Sequence, residues 1–265
     1  MLRALFTGAT GMQAQQINVD VIANNLANVS TIGFKKARAD FQELLYETII
    51  PAGAPSAAGN QIPTGLQIGA GVRPASTSRI FTEGEFKRTD NELDVAIEGD
   101  GFFQVTLPSG QAAFTRSGAF KVNSTGAMTT SEGYLLSPAI TIPTTALNVT
   151  VGTDGTVSVI NAGVTAPTTL GTITMVKFQN PAGLSSQGRN LYLETTASGN
   201  PLQGTPGTAG FGTLAQGFIE NSNVQVVDEL VGLIEAQRAY EINSRTVQTA
   251  DEMLRTVGDL KRLGG

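Results

Sequence analysis

Apolar side chains near the N-terminus recur at alternating intervals of three and four residues, the spacing of a helix with one narrow apolar stripe. The stripe consists of Leu2, Leu5, Ala9, Met12, Gln16, Val19, Ala23 and Leu26, of which only Gln16 is polar. A helix over residues 2–28 would be about 40 Å long, at 1.5 Å per residue. Because a small domain is narrower than this, we predict that the stripe packs against another helix.

The C-terminal segment carries a second stripe of the same kind. Its members are Leu230, Leu233, Tyr240, Val247, Leu254 and Val257, with polar Gln237 and Ser244 at the intervening positions. Charged residues occupy the other faces, and Asn223 is the predicted N-cap of this helix. The two stripes predict an antiparallel coiled coil between the chain ends. The alternative, in which each helix packs on a globular core, stays open at this stage.

Between the helices the pattern changes to short runs with a period of two residues, separated by turn signals such as Asp100-Gly101 and Asp154-Gly155. The strand candidates are 95–98, 102–106, 112–116, 120–122, 127–130, 134–136, 147–151, 156–160, 171–178 and 191–194. They predict a closed or sandwiched β-rich domain that begins as a meander. The predicted fold class is therefore mixed and mainly β, with a β-rich centre and a helical coiled coil formed by the two ends.

Residues 51–74 are rich in Pro, Gly, Ala and Ser, which argues against a helix or a central strand. They nevertheless include four aliphatic residues, Ile62, Leu66, Ile68 and Val72. We predict an extended arm or long hairpin that packs on another surface, with a flexible linker as an equally open alternative. The predicted segments are an N-terminal helix in 1–33, the arm in 34–74, a β-rich outer domain in 75–221 and a C-terminal helix in 222–265.

Composition excludes several functional classes. The 265 residues include no Cys, His or Trp, which excludes Ser-His-Asp triads, Cys nucleophiles, disulfides and metal sites built on His or Cys. A formal net charge of −5 argues against a nucleic-acid partner. No apolar run reaches the length of a membrane span, and the N-terminus lacks the pattern of a cleavable signal peptide. We therefore predict no catalytic residue, no metal and no cofactor.

Three short clusters have both a chemical and a plainer interpretation. Residues 7–11 resemble a dinucleotide-binding turn, but no strand precedes them, so Gly8 and Gly11 are predicted to allow close helix packing. A group of carboxylates is interleaved with apolar residues, as on a solvated strand edge rather than in a calcium loop or a glycosidase pair. These carboxylates are Asp90, Glu92, Asp94, Glu98 and Asp100. The basic cluster Lys35, Lys36 and Arg38 is predicted to lie in a solvated turn.

The most specific strings lie near the two ends of the chain. One resembles the N-terminal signature of the bacterial flagellar axial family of rod and hook proteins: VIANNLANVSTIGFK at 21–35. Another is similar to the C-terminal signature of that family: QRAYEINSRTVQTADEMLRTV at 237–257. The family pattern also agrees with GDGFFQV at 99–105 and TRSGAF at 115–120. The arm from Tyr46 to Pro74 resembles the insert of distal rod proteins rather than that of hook proteins.

The resemblance implies a structural protein and not an enzyme. It implies a subunit of the basal-body distal rod that self-assembles into a rigid helical tube, transmits motor torque to the hook and encloses the export channel. The terminal helices would form the inner layer, unpaired in the monomer and folding on contact with neighbours. A proximal rod or hook subunit, a carboxylate-based peptidoglycan hydrolase and an adhesin-like β-module with ordered helical tails are the alternatives.

The resemblance also implies partners, a location and contact residues. The expected partners are further copies of the chain, proximal rod proteins, the hook protein, the L- and P-ring proteins and the flagellar type III export apparatus. The expected location is the basal body, from the periplasm to the outer membrane, after export without a cleavable signal peptide. Subunit contacts are expected at Asn24, Asn25, Asn28, Gly33, Phe34, Gln237, Arg238 and Tyr240.

Overall fold

The computed structural model describes residues 2–57, 60–163 and 166–263. The chain forms two compact units, each made of separate stretches of sequence. The helical unit comprises Met1–Leu26, Ala37–Ser78 and Gln225–Gly265, and the β unit comprises Ala27–Lys36 and Arg79–Val224. Both terminal helices and the arm thus belong to one unit, while the signature residues that follow the first helix belong to the other.

Two long helices, α1 (Leu2–Ala27) and α2 (Val226–Leu263), form the frame of the helical unit. They pack against each other antiparallel, with Gly8 beside Val247 and Ile22 beside Gly232. A Cβ added to Gly8 would lie 2.7 Å from Val247 Cγ2, closer than real Cβ atoms approach. The predicted pairing of the chain ends is confirmed, and so is the prediction that Gly8 permits close helix packing.

The predicted N-cap of α2 is wrong. The helix begins at Val226, three residues after Asn223. The side chain of Asn223 instead joins parts of the β unit, where its Oδ1 accepts a hydrogen bond from Lys36 N at 2.7 Å and its Nδ2 donates to Ile80 O at 2.8 Å. A short polar side chain before a helix satisfies whichever backbone groups lie nearest, and here these come from distant segments.

The arm is a long hairpin. Its strands are β1 (Ala37–Glu43), β2 (Tyr46–Ile50), β3 (Pro55–Ala57), β4 (Asn60–Gln61), β5 (Leu66–Gly69) and β6 (Val72–Arg79). Strand β1 pairs with β6, β2 with β5 and β3 with β4. Every residue of β2 is exposed, so this part of the hairpin has solvent on both faces.

The β unit contains sixteen strands within the described ranges. They are β7 (Phe86–Arg88), β8 (Val95–Glu98), β9 (Phe102–Thr106), β10 (Ala112–Thr115), β11 (Lys121–Val122), β12 (Met128–Thr129), β13 (Leu135–Ser137), β14 (Ala146–Val151), β15 (Thr156–Asn161), β16 (Thr168–Thr172), β17 (Met175–Lys177), β18 (Ser185–Gly188), β19 (Leu191–Leu193), β20 (Leu202–Gly204), β21 (Thr213–Gln216) and β22 (Phe218–Glu220). A short 3-10 helix, Pro181–Gly183, precedes β18.

The largest sheet of the β unit has nine strands in the order β11-β12-β13-β9-β10-β19-β18, with β17 beside β9 and β20 beside β17. Strands β14, β15 and β16 form a second sheet, and β8-β21 and β7-β22 are separate pairs. The predicted bounds of β8 and β9 agree with the structure. Within the described ranges the sheets do not close into a barrel. Of the two predicted arrangements, closed or sandwiched, the closed one is therefore wrong.

The core of the β unit follows from the two-residue period of its strands. Val95, Ile97 and Phe103 are fully buried among the aliphatic side chains of the second sheet. A separate aromatic cluster contains Phe102, with ring pairs in edge-to-face geometry. Gly118 is required where the chain passes this core, because a Cβ there would lie 1.6 Å from Val95 O.

Candidate assembly surfaces

The contact between the two helices lies one position away from the predicted stripe of α1. It contains Gly8, Gly11, Ile22 and Asn25, each of which precedes a member of the predicted stripe. Leu5, Met12, Val19 and Leu26 are half-buried at the edge of this contact, whereas Ala9, Gln16 and Ala23 are exposed. The side chain of Leu2 lies outside those described. The predicted stripe therefore flanks the intramolecular contact and keeps an accessible surface.

The predicted stripe of α2 is divided in the same way. Leu233, Val247 and Leu254 are half-buried, and Val247 contacts Gly8. Leu230, Tyr240 and Val257 are exposed. About half of this stripe therefore packs within the chain, and the other half faces solvent.

An exposed apolar stripe lies at the start of α2. It consists of Val227, Leu230, Val231 and Ile234, whose spacing places them on one face of the helix. Val227 is 72% exposed and Ile234 is 49% exposed. Of the four, only Leu230 belongs to the predicted stripe of α2. Contiguous exposed apolar side chains on a helix are typical of a surface that another protein covers.

The arm packs against the helices at the other end of the helical unit. Strand β5, the start of α1 and the last turns of α2 enclose an open groove of about 1030 Å³. Its lining includes Ala4, Ile68, Leu254 and Val257. Arg3 forms an ion pair with Glu47 of β2 at the same place. Of the predicted arm residues, Leu66 and Ile68 are exposed, and Ile62 and Val72 are half-buried.

Asn25 of the N-terminal signature is buried, with 2% of its surface exposed. Its Nδ2 donates to Ala37 O at 2.8 Å and to Glu229 Oε2 at 3.2 Å, and its Oδ1 accepts from Ala37 N at 2.9 Å. One side chain thus joins the end of α1, the start of the arm and α2. Asn28 Oδ1 accepts a hydrogen bond from Thr31 Oγ1.

The remaining signature residues fall into two groups. Asn24, Gln237, Arg238 and Tyr240 are exposed on the helices. Gly33 and Phe34 are buried in the β unit, where Gly33 N donates to Glu220 O at 2.8 Å and the Arg79 guanidinium lies 5.4 Å from the Phe34 ring centre. The contacts that Gly33 and Phe34 make with these residues are therefore intramolecular.

Lys35 is fully buried, so the predicted solvated turn is wrong for this residue. Its ammonium forms an ion pair with Glu220, and Arg116 Nε pairs with the other oxygen of the same carboxylate at 3.0 Å. Burial lowers the pKa of Lys35, and the attraction of Glu220 only partly opposes this effect. The sequence signal for this cluster is that Lys35 and Arg116 both lie inside family strings, and that Lys35 directly follows the apolar Phe34.

The carboxylates of the strand-edge cluster have structural roles. Glu92 Oε2 accepts a hydrogen bond from Val149 N at 2.8 Å, and Asp94 accepts one from Asn91. Asp100 pairs with Lys177 at 2.8 Å. In the described part of the chain no group of three or more acidic residues is arranged to hold a metal ion. Over the same residues, neither helix has the length and hydropathy that crossing a membrane requires.

Three protein families match separate parts of this chain. The family described as flagella basal body rod protein matches residues 5–35. The flagellar hook protein FlgE/F/G D1 domain matches residues 96–159, and the flagellar basal body rod FlgEFG protein C-terminal family matches residues 215–260. The matches include both signature strings and most of the second sheet.

Several relatives that match along the whole chain carry the name flagellar basal-body rod protein FlgG. The FlgG of Buchnera aphidicola subsp. Schizaphis graminum is 50% identical, over 98% of this chain and 100% of that protein. The FlgG of Caulobacter vibrioides is 48% identical over the same shares of the two chains. The FlgG of Bacillus subtilis is 41% identical, over 99% of this chain and all of that protein.

Proposed function

Because this chain belongs to the FlgG family of flagellar basal-body rod proteins, we propose that its helical unit joins copies of the chain into a helical tube. The predicted role of a structural subunit of the flagellar rod is confirmed. The prediction of a distal rod subunit fits these relatives. The observation that carries the proposal is the exposed apolar stripe of Val227, Leu230, Val231 and Ile234.

The energetics favour addition at a growing tip over free association. Covering a few hundred Å² of apolar surface contributes several kcal/mol, at about 25 cal/mol per Å². This is close to the cost of immobilising a subunit, so a single contact is weak. A subunit that meets several neighbours together gains several such contacts for one loss of freedom, and assembly at the tip follows.

The flanking stripe of α1 and the exposed half of the α2 stripe supply further contacts in this proposal. Leu5, Met12, Val19 and Leu26 each keep an accessible edge beside the intramolecular helix pair. Gln237, Arg238 and Tyr240 extend the exposed face of α2. Together these positions give each helix pair more than one side on which a neighbouring pair packs, as a closed inner layer requires.

The arm is proposed to brace adjacent subunits against bending. Strands β2 and β5 carry exposed Tyr46, Ile49, Leu66 and Ile68 on a hairpin that is tied to α1 by the Arg3–Glu47 ion pair. A neighbour that covers these side chains would link one helical unit to the next. The tube would then be stiff enough to transmit motor torque to the hook while enclosing the export channel.

Membership of the rod implies assembly with other rod and hook components in the basal body. We further propose that the chain contacts proximal rod proteins, the hook protein, the L- and P-ring proteins and the type III export apparatus. In this arrangement the rod spans the periplasm to the outer membrane. The structural roles of Glu92, Asp94 and Asp100 agree with a protein that does no catalysis.

The test is a charge placed on the exposed stripe. Val231→Asp is expressed in cells that lack the native protein, and rods are counted in isolated basal bodies by electron microscopy. We expect no distal rod, although the purified variant keeps the circular dichroism spectrum of the native chain. The matched control is Val122→Asp, the same change at an exposed apolar position of the β unit. Normal rods from Val231→Asp would contradict the proposal.

A further inference from the structure

Three charged side chains in the β unit are withdrawn from solvent. Lys35 is fully buried, Glu220 is 1% exposed and Arg116 is 4% exposed. They come from three separate stretches: the segment Ala27–Lys36, the turn that follows β10, and the end of β22. Buried charges of this kind are costly to desolvate and persist only where they are paired and hydrogen-bonded.

One carboxylate compensates both cations. Glu220 Oε1 accepts from Lys35 Nζ and from Gly84 N, and Glu220 Oε2 accepts from Arg116 Nε at 3.0 Å. The other acceptors of the two cations are neutral carbonyls, such as Thr82 O at 2.6 Å from Lys35 Nζ. The further titratable or charged groups around the cluster are Glu83, Tyr192 and Arg79.

The same cluster lies among the backbone segments through which the chain leaves the β unit. Gly33 N donates to Glu220 O at 2.8 Å, and Ile80 N donates to Lys36 O at 2.9 Å. Lys36 N donates to Asn223 Oδ1 at 2.7 Å. Residues 33–36, 79–84 and 220–224 are therefore bonded to one another, next to the points where the chain passes to the helical unit after 36, before 79 and after 224.

We propose that Glu220 is the counterion of a charge latch that holds these three segments to the β unit, and that the latch opens when Glu220 loses its charge. A neutral residue 220 leaves two desolvated cations with carbonyl acceptors alone, which is far less favourable than a complete pair. The segments then separate so that Lys35 and Arg116 reach water. The strands of the β unit keep their own apolar core and stay paired. This inference concerns the β unit itself and does not rest on the proposed assembly.

The first test is hydrogen exchange of the full-length chain and of Glu220→Gln, which keeps the shape and removes the charge. We expect protection of the amides of Gly33, Lys36 and Ile80 to fall by more than about tenfold, while the amides of the β9-β10 pair keep native protection. The control is Asp100→Asn, which neutralises an exposed ion pair and leaves all these amides unchanged. Native protection in Glu220→Gln, or an equal loss across the sheet, would overturn the latch.

A second variant is measured in case Glu220→Gln does not fold. A triple variant, Lys35→Met, Arg116→Met and Glu220→Leu, replaces the cluster by apolar side chains of similar size. Exchange of the triple variant is compared with that of the native chain at neutral pH. We expect the amides of Gly33, Lys36 and Ile80 to keep native protection in the triple variant, because no desolvated cation is left without a counterion. Loss of protection at these amides in the triple variant would contradict the proposal.

Discussion

The two units of this chain treat their large apolar side chains in opposite ways. In the β unit Phe103 is fully buried, and even the charged residues Lys35 and Glu220 are withdrawn from water. In the helical unit Phe6 is 68% exposed and Val227 is 72% exposed. The β unit therefore buries most of its large apolar side chains within one chain, although a few, such as Leu147 at 72%, remain exposed. The helical unit leaves apolar surface uncovered, so its stability and its function depend on what covers that surface.

The difference has a physical origin in the shape of the two units. A sheet with side chains on both faces and short connections encloses a core within one chain. A pair of helices encloses only the narrow strip between them, and the glycines of α1 make that strip narrower still. Apart from the places where the arm packs on them, the remaining sides of each helix face solvent until another chain covers them.

The largest expected effect comes from removing one phenylalanine ring from each of the two units. Phe103→Ala deletes a buried ring of the β unit and is expected to lower its free energy of unfolding by about 3–5 kcal/mol. Phe6→Ala removes an exposed ring and is expected to change stability by less than about 0.5 kcal/mol. Urea unfolding followed by circular dichroism measures both. Equal losses would contradict the contrast between the units.

A second prediction concerns the close approach of the helices. Gly8→Leu places a side chain where even a Cβ would lie 2.7 Å from Val247 Cγ2, so the helix pair must separate locally. We expect a loss of about 1–3 kcal/mol in the stability of the pair, seen as faster proteolysis of both helices. Gly258→Leu is the control, since its Cβ would meet no atom within 4 Å. Equal proteolysis of the two variants would rule out a packing role for Gly8.

A third and smaller effect is a pH dependence in the β unit. Because burial lowers the pKa of Lys35, the unfolded chain binds this proton more tightly than the folded chain does. The free energy of unfolding therefore rises with pH between the lowered pKa and the ordinary lysine value of about 10.4. The difference between the native chain and Lys35→Met, measured by urea unfolding at several pH values, isolates this effect. A difference that falls with pH over this range would have the wrong sign.

Regular spacing explains why much of the fold could be predicted from the sequence. The two-residue period gave the bounds of β8 and β9, and alternating intervals of three and four residues identified both helices. The position of the helix contact could not be obtained in this way. Gly8, Gly11 and Asn25 make that contact, and a pattern of apolar residues passes over glycine and asparagine.

Long-range pairing explains what the sequence did not predict. Lys35 is a typical surface residue when it is considered with Lys36 and Arg38. Its partner Glu220 lies 185 residues away, and only the folded β unit brings the two together. Asn223 is a similar case, because its acceptors and donors in the β unit replace the helix-capping role that its position in the sequence favours.

Hydrogen exchange of the monomer and of isolated rods shows whether neighbouring copies cover the exposed apolar stripe of α2. We expect amides around Val227–Ile234 to exchange rapidly in the monomer and to become protected in the rod, while the amides of β9 and β10 are equally protected in both. Strong protection around Val227–Ile234 in the monomer, unchanged in the rod, would show that the helical unit is already complete within one chain and would rule out this stripe as a contact between copies.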